Sequence, residues 1–247
     1  MTLQEFFTEY PKAALGFSGG VDSSYLLWAA VNAGADIAPY YIQTAFQPAF
    51  ELEDAKRLCE QIGVKLNVIQ LDALADPRVA ANPANRCYYC KVGRFGALRA
   101  RAKADGYDLL LDGTNASDDA GDRPGMKALR EMEVRSPLRE CGLTKAMIRQ
   151  ESRKAGLFTW DKPAYACLAT RVPTGRTITP ELLRRVEGAE TALFDLGFTD
   201  FRVRLYDDAA RLQLPEGQLA KAVEQRQAIR QALAPWFDIV LLDTQTR

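Results

Sequence analysis

Two glycines set between serines and followed by an aspartate, Ser18-Gly19-Gly20-Val21-Asp22-Ser23, form a stretch suited to holding an anion. Glycines let backbone N–H groups curl around phosphate oxygens without side-chain obstruction, serine hydroxyls donate to the same oxygens, and a neighbouring carboxylate can hold Mg2+ against them. The bland alternative is a Gly-Gly turn with a Ser/Asp helix cap. The GK[ST] ending of a Walker A loop and the GxGxxG dinucleotide pattern are both missing. Further along, Cys87-x-x-Cys90 has a spacing used by metal and redox sites. An iron–sulfur cluster, a disulfide or redox pair, zinc and plain structural thiols all remain open for it. Lys91 follows directly, and its charge suits an α-phosphate or a developing oxyanion, with a surface lysine as the alternative. Arg202 and Arg204 stand two apart in an expected strand, so both guanidinium groups face one way, as an anion clamp or as a solvated polar face.

Composition narrows the chemistry. The chain has 247 residues, 47% of them hydrophobic, and balances 32 Lys+Arg against 32 Asp+Glu. That length serves one large domain or a medium domain plus a small one. No histidine occurs anywhere, which removes Ser-His-Asp and Cys-His nucleophile systems, HExxH zinc sites and imidazole acid/base catalysis. Zero formal net charge argues against a nucleic-acid partner. The longest apolar stretch, Tyr25 to Val31, is too short to span a bilayer, and MTLQEFFTEYPK is no secretory leader. A soluble cytoplasmic protein with no membrane partner is expected, and five cysteines in such a chain do not make a disulfide scaffold.

The elements that must position these groups alternate. KAALGF reads as a buried strand leading into the glycine loop, and YLLWAAVNAG as a core helix stopped by Gly34. IAPYYIQT, KLNVIQL and DLLLDG read as further strands, separated by the helices ELEDAKRLCEQIG and KVGRFGALRARAKADG, with another helix capped by Thr144. Strands alternating with helices imply an α/β fold with a parallel sheet covered on both faces. After about Pro173 the texture becomes helix, two short strands FRVRLYD and ARLQL around Asp207 and Asp208, one helix EGQLAKAVEQRQAIRQALA and a last strand DIVLLD. This part is expected to be a smaller α+β domain, 175–247, after a domain of 1–174.

The loop resembles the SGGxDS pyrophosphate loop of the PP-loop ATP pyrophosphatases, a Rossmann-like superfamily that splits ATP into AMP and pyrophosphate while adenylating a substrate. Asp112-Gly113-Thr114-Asn115 follows a strand end, where the ligand crevice of an open α/β sheet lies. Asp118, Asp119, Asp122-Arg123-Pro124-Gly125, Ser136-Pro137-Leu138, the CLATRVPTG segment from Cys167 and FRVRLYDDAARLQLPE from Phe201 come next. In that order the segments look like the LarE family, the sulfur transferases of nickel-pincer nucleotide biosynthesis, over nearly the whole chain.

The resemblance implies that ATP and Mg2+ bind at Ser18, Gly19, Gly20, Asp22 and Ser23, with Gly113 near the adenosine. The substrate would be a pyridinium-3,5-biscarboxylic acid mononucleotide, adenylated on a carboxylate and converted to a thiocarboxylate. Its phosphate would be bound by Arg202 and Arg204, with Thr170 and Arg171 nearby. Some LarE proteins sacrifice the sulfur of one cysteine, whereas others hold a 4Fe-4S cluster on three cysteines. Cys87, Cys90 and Cys167 match the second pattern, with a sulfide or persulfide as donor. Cys59 reads as a core residue, and Cys141 stays outside the ligand set. LarE relatives form homo-oligomers, trimers or hexamers. Two other readings stay open: a cluster-dependent tRNA thiolase of the same superfamily, and a nucleotide-binding or sulfur-carrier module without turnover.

Overall fold

A computed structural model describes residues 1–118 and 124–246. Asp119, Asp122 and Arg123 of the sequence motifs lie outside the described residues. Residues 1–73 and 85–162 form one compact unit, and residues 74–84 and 163–247 form the other.

In the first unit, α1 (Leu3–Glu9), capped by a Thr2/Glu5 capping box, precedes β1 (Lys12–Gly16), α2 (Val21–Asn32), β2 (Asp36–Gln43), α3 (Ala49–Ile62) and β3 (Asn67–Gln70). After α4 (Pro77–Ala80), which belongs to the second unit, come α5 (Arg86–Ala104), β4 (Leu110–Leu111), α6 (Pro124–Glu131), α7 (Pro137–Glu140) and α8 (Lys145–Lys154). The four strands form a parallel sheet in the order β3-β2-β1-β4. Successive residues alternate between two cores, as side chains on a strand must. Ala13, Leu15, Ile37 and Tyr41 join Phe6, Leu26, Leu58 and Ile148 on one face. Ala14, Ala38, Tyr40 and Ile42 join Leu98 and Ala102 of α5 on the other. The near-continuous apolar runs of β1 and β2 are therefore those of a sheet buried on both sides, which is the α/β, Rossmann-like arrangement expected from the sequence. Beyond β4, Arg135 forms a parallel bridge with Leu111, so Ser136 follows a short fifth row at the same sheet end.

Two boundaries differ from the expectation. The helix expected to begin at Lys91 starts at Arg86, so the CYYC stretch is its first turn. Cys and Tyr are indifferent helix formers, and the Tyr88 hydroxyl gains a 2.5 Å bond to Glu131 of α6, a tertiary partner with no local signal. The helix expected over EGQLAKAVEQRQAIRQALA is instead a 3-10 turn, α10 (Leu219–Glu224) and α11 (Arg226–Leu233). Gln225 interrupts it at φ −90°, ψ 14°; no Gly or Pro lies between Leu219 and Leu233 to account for the break.

The second unit holds α9 (Pro180–Asp195), the β5 (Arg202–Tyr206)–β6 (Ala209–Gln213) hairpin, and β7 (Val240–Leu242), which pairs parallel to β6. Residues 74–84 belong here through Asn82, whose side-chain amide donates to the Val172 and Pro173 carbonyls at 3.3 and 2.8 Å. Its own carbonyl accepts from Gly175 N–H. Leu183, Val186, Glu190 and Leu193 share the buried stripe of α9 at 3-4-3 spacing, so a carboxylate lies among core residues. Glu190 is neutralised by Arg171, whose Nε and Nη2 donate to its two oxygens at 2.7 and 3.0 Å. It also accepts from Val203 N–H at 2.9 Å and from the Tyr165 hydroxyl. Removing one partner of such a pair strands a buried charge. Glu190→Ala is expected to destabilise this unit by about 3–5 kcal/mol, read as a lower urea midpoint of its transition.

Candidate functional site

The glycine loop leaves β1 where the strand order reverses, between β1 and β4, the switch point at which open α/β sheets bind ligands. Gly19 has φ +69°, and a Cβ there would lie 3.3 Å from the backbone of Ala55 in α3, so only glycine lets the chain turn this tightly against that helix. Ser23 Oγ donates to the Gly20 carbonyl at 3.2 Å, Ser18 N–H donates to Ser23 Oγ at 3.3 Å, and Gly20 N–H approaches Ser18 Oγ at 3.4 Å. These bonds close the loop on itself. Gly20 is the N-cap of α2 and supplies no side chain to bond the helix's first N–H groups. Uncapped amides with an aligned helix dipole suit an anion.

Asp22, in the first turn of α2, pairs with Lys145 at 2.5 Å through Oδ2. Its Oδ1 is buried and has no hydrogen-bond partner. Burial raises the carboxyl above its usual value, opposed by the bond and charge of Lys145. A carboxylate oxygen taken out of water without a donor is costly unless something fills the place. A hard divalent cation that takes oxygen ligands fits that place, so Asp22 is the residue suited to hold Mg2+.

Gly113 closes the other side. A Cβ on Gly113 would lie 3.0 Å from Ser23 N and 3.2 Å from Ser23 Cα, so the strand end after β4 runs directly against the loop. Asp112, 7% exposed, holds this turn: Oδ1 accepts from Ser136 Oγ at 2.6 Å and Thr114 N–H at 3.2 Å, and Oδ2 accepts from Thr114 Oγ1 at 2.5 Å. The strand-end motif and the SPL segment are thus stitched together beside the loop.

Lys91 is half-buried rather than an exposed helix-start lysine. Its Cδ and Cε would lie 3.2 Å from a Cβ at Gly125, the glycine of the RPG motif. Burial lowers its ammonium below the usual lysine value, opposed mainly by the charge of Asp112. Cys87 and Cys90 occupy one face of the first turns of α5, Cys87 exposed and Cys90 half-buried. Cys59 is buried, and desolvation pushes its thiol up to about 12, as suits a core thiol. Among the described residues no group of three or more Cys, Asp or Glu side chains is arranged to hold a metal ion.

Within the second unit the structure gathers five residues singled out from the sequence. Cys167 is the N-cap of a 3-10 turn, Leu168–Arg171, and its carbonyl accepts from the Thr170 hydroxyl at 2.8 Å. Arg204 donates to the Thr170 carbonyl at 2.7 Å and to Gln213 Oε1. Arg202 is only 5% exposed and donates to the Ala164 and Phe201 carbonyls, each at 2.6 Å. A solvated polar face is therefore excluded for Arg202. Arg171 has no exposed side-chain surface; besides Glu190 it bonds the Ala166 carbonyl and Thr170 Oγ1, each at 2.8 Å. The Tyr165 ring lies beneath both Arg171 and Arg202, 4.7 and 5.1 Å from its centroid. Sequence reasoning missed Glu190, Tyr165 and Lys145. A charge on the apolar stripe of α9 was the available signal for Glu190; Lys145 carried none, since it meets Asp22 from 123 positions away.

Comparison with known proteins agrees with this geometry. The model of the family "Queuosine biosynthesis protein QueC" matches residues 12–82. An uncharacterized protein of Synechocystis sp. is 40% identical over 225 residues, 90% of this chain and 83% of that one. The pyridinium-3,5-bisthiocarboxylic acid mononucleotide synthase of Lactiplantibacillus plantarum is 32% identical over 220 residues, 88% of this chain and 80% of that one. The tRNA-specific 2-thiouridylase MnmA of Mycobacterium ulcerans is 26% identical over 202 residues, covering 68% of this chain and 55% of its own.

The approach of Gly113 to Ser23 yields a test. Gly113→Ala forces the two backbones apart, because a Cβ–N contact of 3.0 Å must relax. ATP affinity, followed by calorimetric titration, is expected to fall about tenfold, with the thermal unfolding midpoint moving by only a few degrees.

Proposed function

The chain belongs to the LarE family of PP-loop sulfur transferases, and from that membership we propose that it adenylates a carboxylate of pyridinium-3,5-biscarboxylic acid mononucleotide and exchanges the activated oxygen for sulfur. The observation that carries the proposal is the buried, unpartnered Oδ1 of Asp22 beside an uncapped helix N-terminus. Together they offer a cation place and an anion place within one turn of chain.

A carboxylate is a poor electrophile until one oxygen becomes part of a good leaving group. In the proposed first step a substrate carboxylate oxygen bonds to the α-phosphorus of ATP, and the bond from that phosphorus to the bridging oxygen breaks, releasing pyrophosphate. A sulfur nucleophile then bonds to the acyl carbon, and the carbon–oxygen bond to AMP breaks. Ser18, Gly19, Gly20 and Ser23 bind the leaving pyrophosphate, Asp22 holds Mg2+, and Gly113 admits the nucleotide close to the loop. Lys91 neutralises charge on the α-phosphate or acyl oxyanion. Arg202 and Arg204, their planes fixed by backbone carbonyls, read the substrate phosphate. Thr170 and Arg171 hold the turn that carries Cys167. Mixing ATP, Mg2+ and the biscarboxylated mononucleotide with the protein is expected to release pyrophosphate, and no release above the rate without substrate would overturn the proposal.

The proposed sulfur route uses Cys87, Cys90 and Cys167 as thiolate ligands of a 4Fe-4S cluster. The donor chemistry fits, since these are three of the four cysteines that are not buried, in a chain without histidine. When bound, the cluster supplies an iron able to carry an additional sulfide. Replacing any one of the three cysteines by Ala is expected to remove most iron and acid-labile sulfide after anaerobic reconstitution, while Cys59→Ala removes neither. Stoichiometric zinc without iron would sink this part.

For the substrate phosphate, Arg204→Ala is expected to weaken mononucleotide binding about tenfold or more, the loss of one charge-assisted hydrogen bond, with ATP affinity unchanged. Lys is a poor replacement, because it keeps the charge and loses the planar fork. Equal affinity of the wild type for the mononucleotide and its dephosphorylated nucleoside would refute the assignment.

A further inference from the structure

The segment Ala164-Tyr165-Ala166-Cys167, which leads into the Leu168–Arg171 turn, serves two arginines at once. The Ala164 carbonyl accepts from Arg202 Nη2 at 2.6 Å, the Ala166 carbonyl accepts from Arg171 Nη1 at 2.8 Å, and the Cys167 carbonyl accepts from the Thr170 hydroxyl at 2.8 Å. Tyr165 stands between the first two. Its half-buried ring lies under both guanidinium groups, with Cζ of Arg171 4.7 Å and Cζ of Arg202 5.1 Å from its centroid, and its hydroxyl donates to Glu190. Burial and the charge of Glu190 push the phenol above its ordinary value, so it keeps its proton and stays a donor.

The two guanidinium groups depend on the ring unequally. Both oxygens of Glu190 accept from Arg171, and a buried bidentate carboxylate holds a guanidinium more firmly than an aromatic face does. Arg202 meets two backbone carbonyls, each at 2.6 Å, and the Tyr165 ring. One of those carbonyls belongs to Ala164, the residue next to Tyr165. Hydrogen bonds act in the guanidinium plane, whereas a ring beneath the group fixes how that plane is tilted. The tilt matters to an anion, because arginine recognises phosphate through a planar fork.

We infer that Tyr165 is the positioning residue for Arg202: its ring sets the plane in which that guanidinium meets the substrate phosphate, and it keeps this anion reader on the same short segment as Cys167. The inference rests on the proposed reading of Arg202 and Arg204 as phosphate-binding residues. A purely structural tyrosine would act through its volume and its hydroxyl. A positioning tyrosine acts through the negative charge of its ring face, and only on ligands that carry the phosphate.

The test is calorimetric titration of the full chain with the biscarboxylated mononucleotide and with its dephosphorylated nucleoside. Tyr165→Leu is expected to weaken mononucleotide binding about fivefold or more, while nucleoside affinity stays within about twofold. Tyr165→Phe keeps the ring and loses only the hydroxyl, so its mononucleotide affinity is expected to stay within about twofold of wild type. Phenylalanines carrying one or three ring fluorines at position 165 keep the shape of Phe while draining charge from the ring face. Mononucleotide affinity is expected to fall in that order, with nucleoside affinity unchanged. This series carries the same readout if Tyr165→Leu does not fold. Equal mononucleotide affinity across the fluorinated series, a Phe variant as weak as the Leu variant, or a proportional loss of nucleoside affinity overturns the inference. A wild type that binds mononucleotide and nucleoside equally defeats the phosphate reading of Arg202 and Arg204, whereas a wild type that prefers the mononucleotide, with every variant unaffected, defeats this inference alone.

Discussion

The crevice beside the glycine loop depends on one close approach, that of the Gly113 backbone to Ser23 at the start of α2. No side chain fits between them, so the strand end after β4 and the glycine loop after β1 share a single wall. The strand order turns back between β1 and β4, Asp112 clamps the turn through Thr114 and Ser136, and α3 supports Gly19 from the opposite side. Hydrogen bonds among Ser18, Gly20 and Ser23 then close the loop on itself.

The second unit is organised by a different constraint, a carboxylate within a helix's apolar stripe. Glu190 can be buried only because Arg171 meets both of its oxygens and Val203 N–H and Tyr165 supply further donors. That requirement draws the CLATR turn, α9 and β5 into one cluster. Cys167, Thr170 and Arg204 are connected through carbonyl bonds of the same turn. Arginines that look like an exposed clamp in a strand pattern are in fact partly embedded: Arg202 donates to the Phe201 and Ala164 carbonyls, and Arg204 to the Thr170 carbonyl and the Gln213 side chain.

Much of the fold was legible because burial on both faces of a parallel sheet leaves uninterrupted apolar strands, and these alternate with helices ending at Gly34 and Gly63. The loop was legible for a related reason, since paired glycines between a strand and a helix start free the backbone for a left-handed turn that side chains resist. The helix over the CYYC stretch was less legible, because its first turn is stabilised by α6 rather than by local propensity. Residues 74–84 gave no sign of belonging with 163–247, because the bonds that join them, from the Asn82 side chain and to the Asn82 and Ala80 carbonyls, reach residues at least ninety positions away.

By itself the amino-acid sequence determined the class of chemistry: no imidazole, a phosphate-type loop, paired thiols and a double arginine, in an order that identifies the family. Periodicity and glycine placement are local, and they survive in a linear reading. What only the tertiary structure decided was which charges meet. Lys145 with Asp22, Lys162 with Asp54 and Arg171 with Glu190 are pairs between distant segments. Coulombic partnership depends on distance through space and on burial, neither of which is written along the chain.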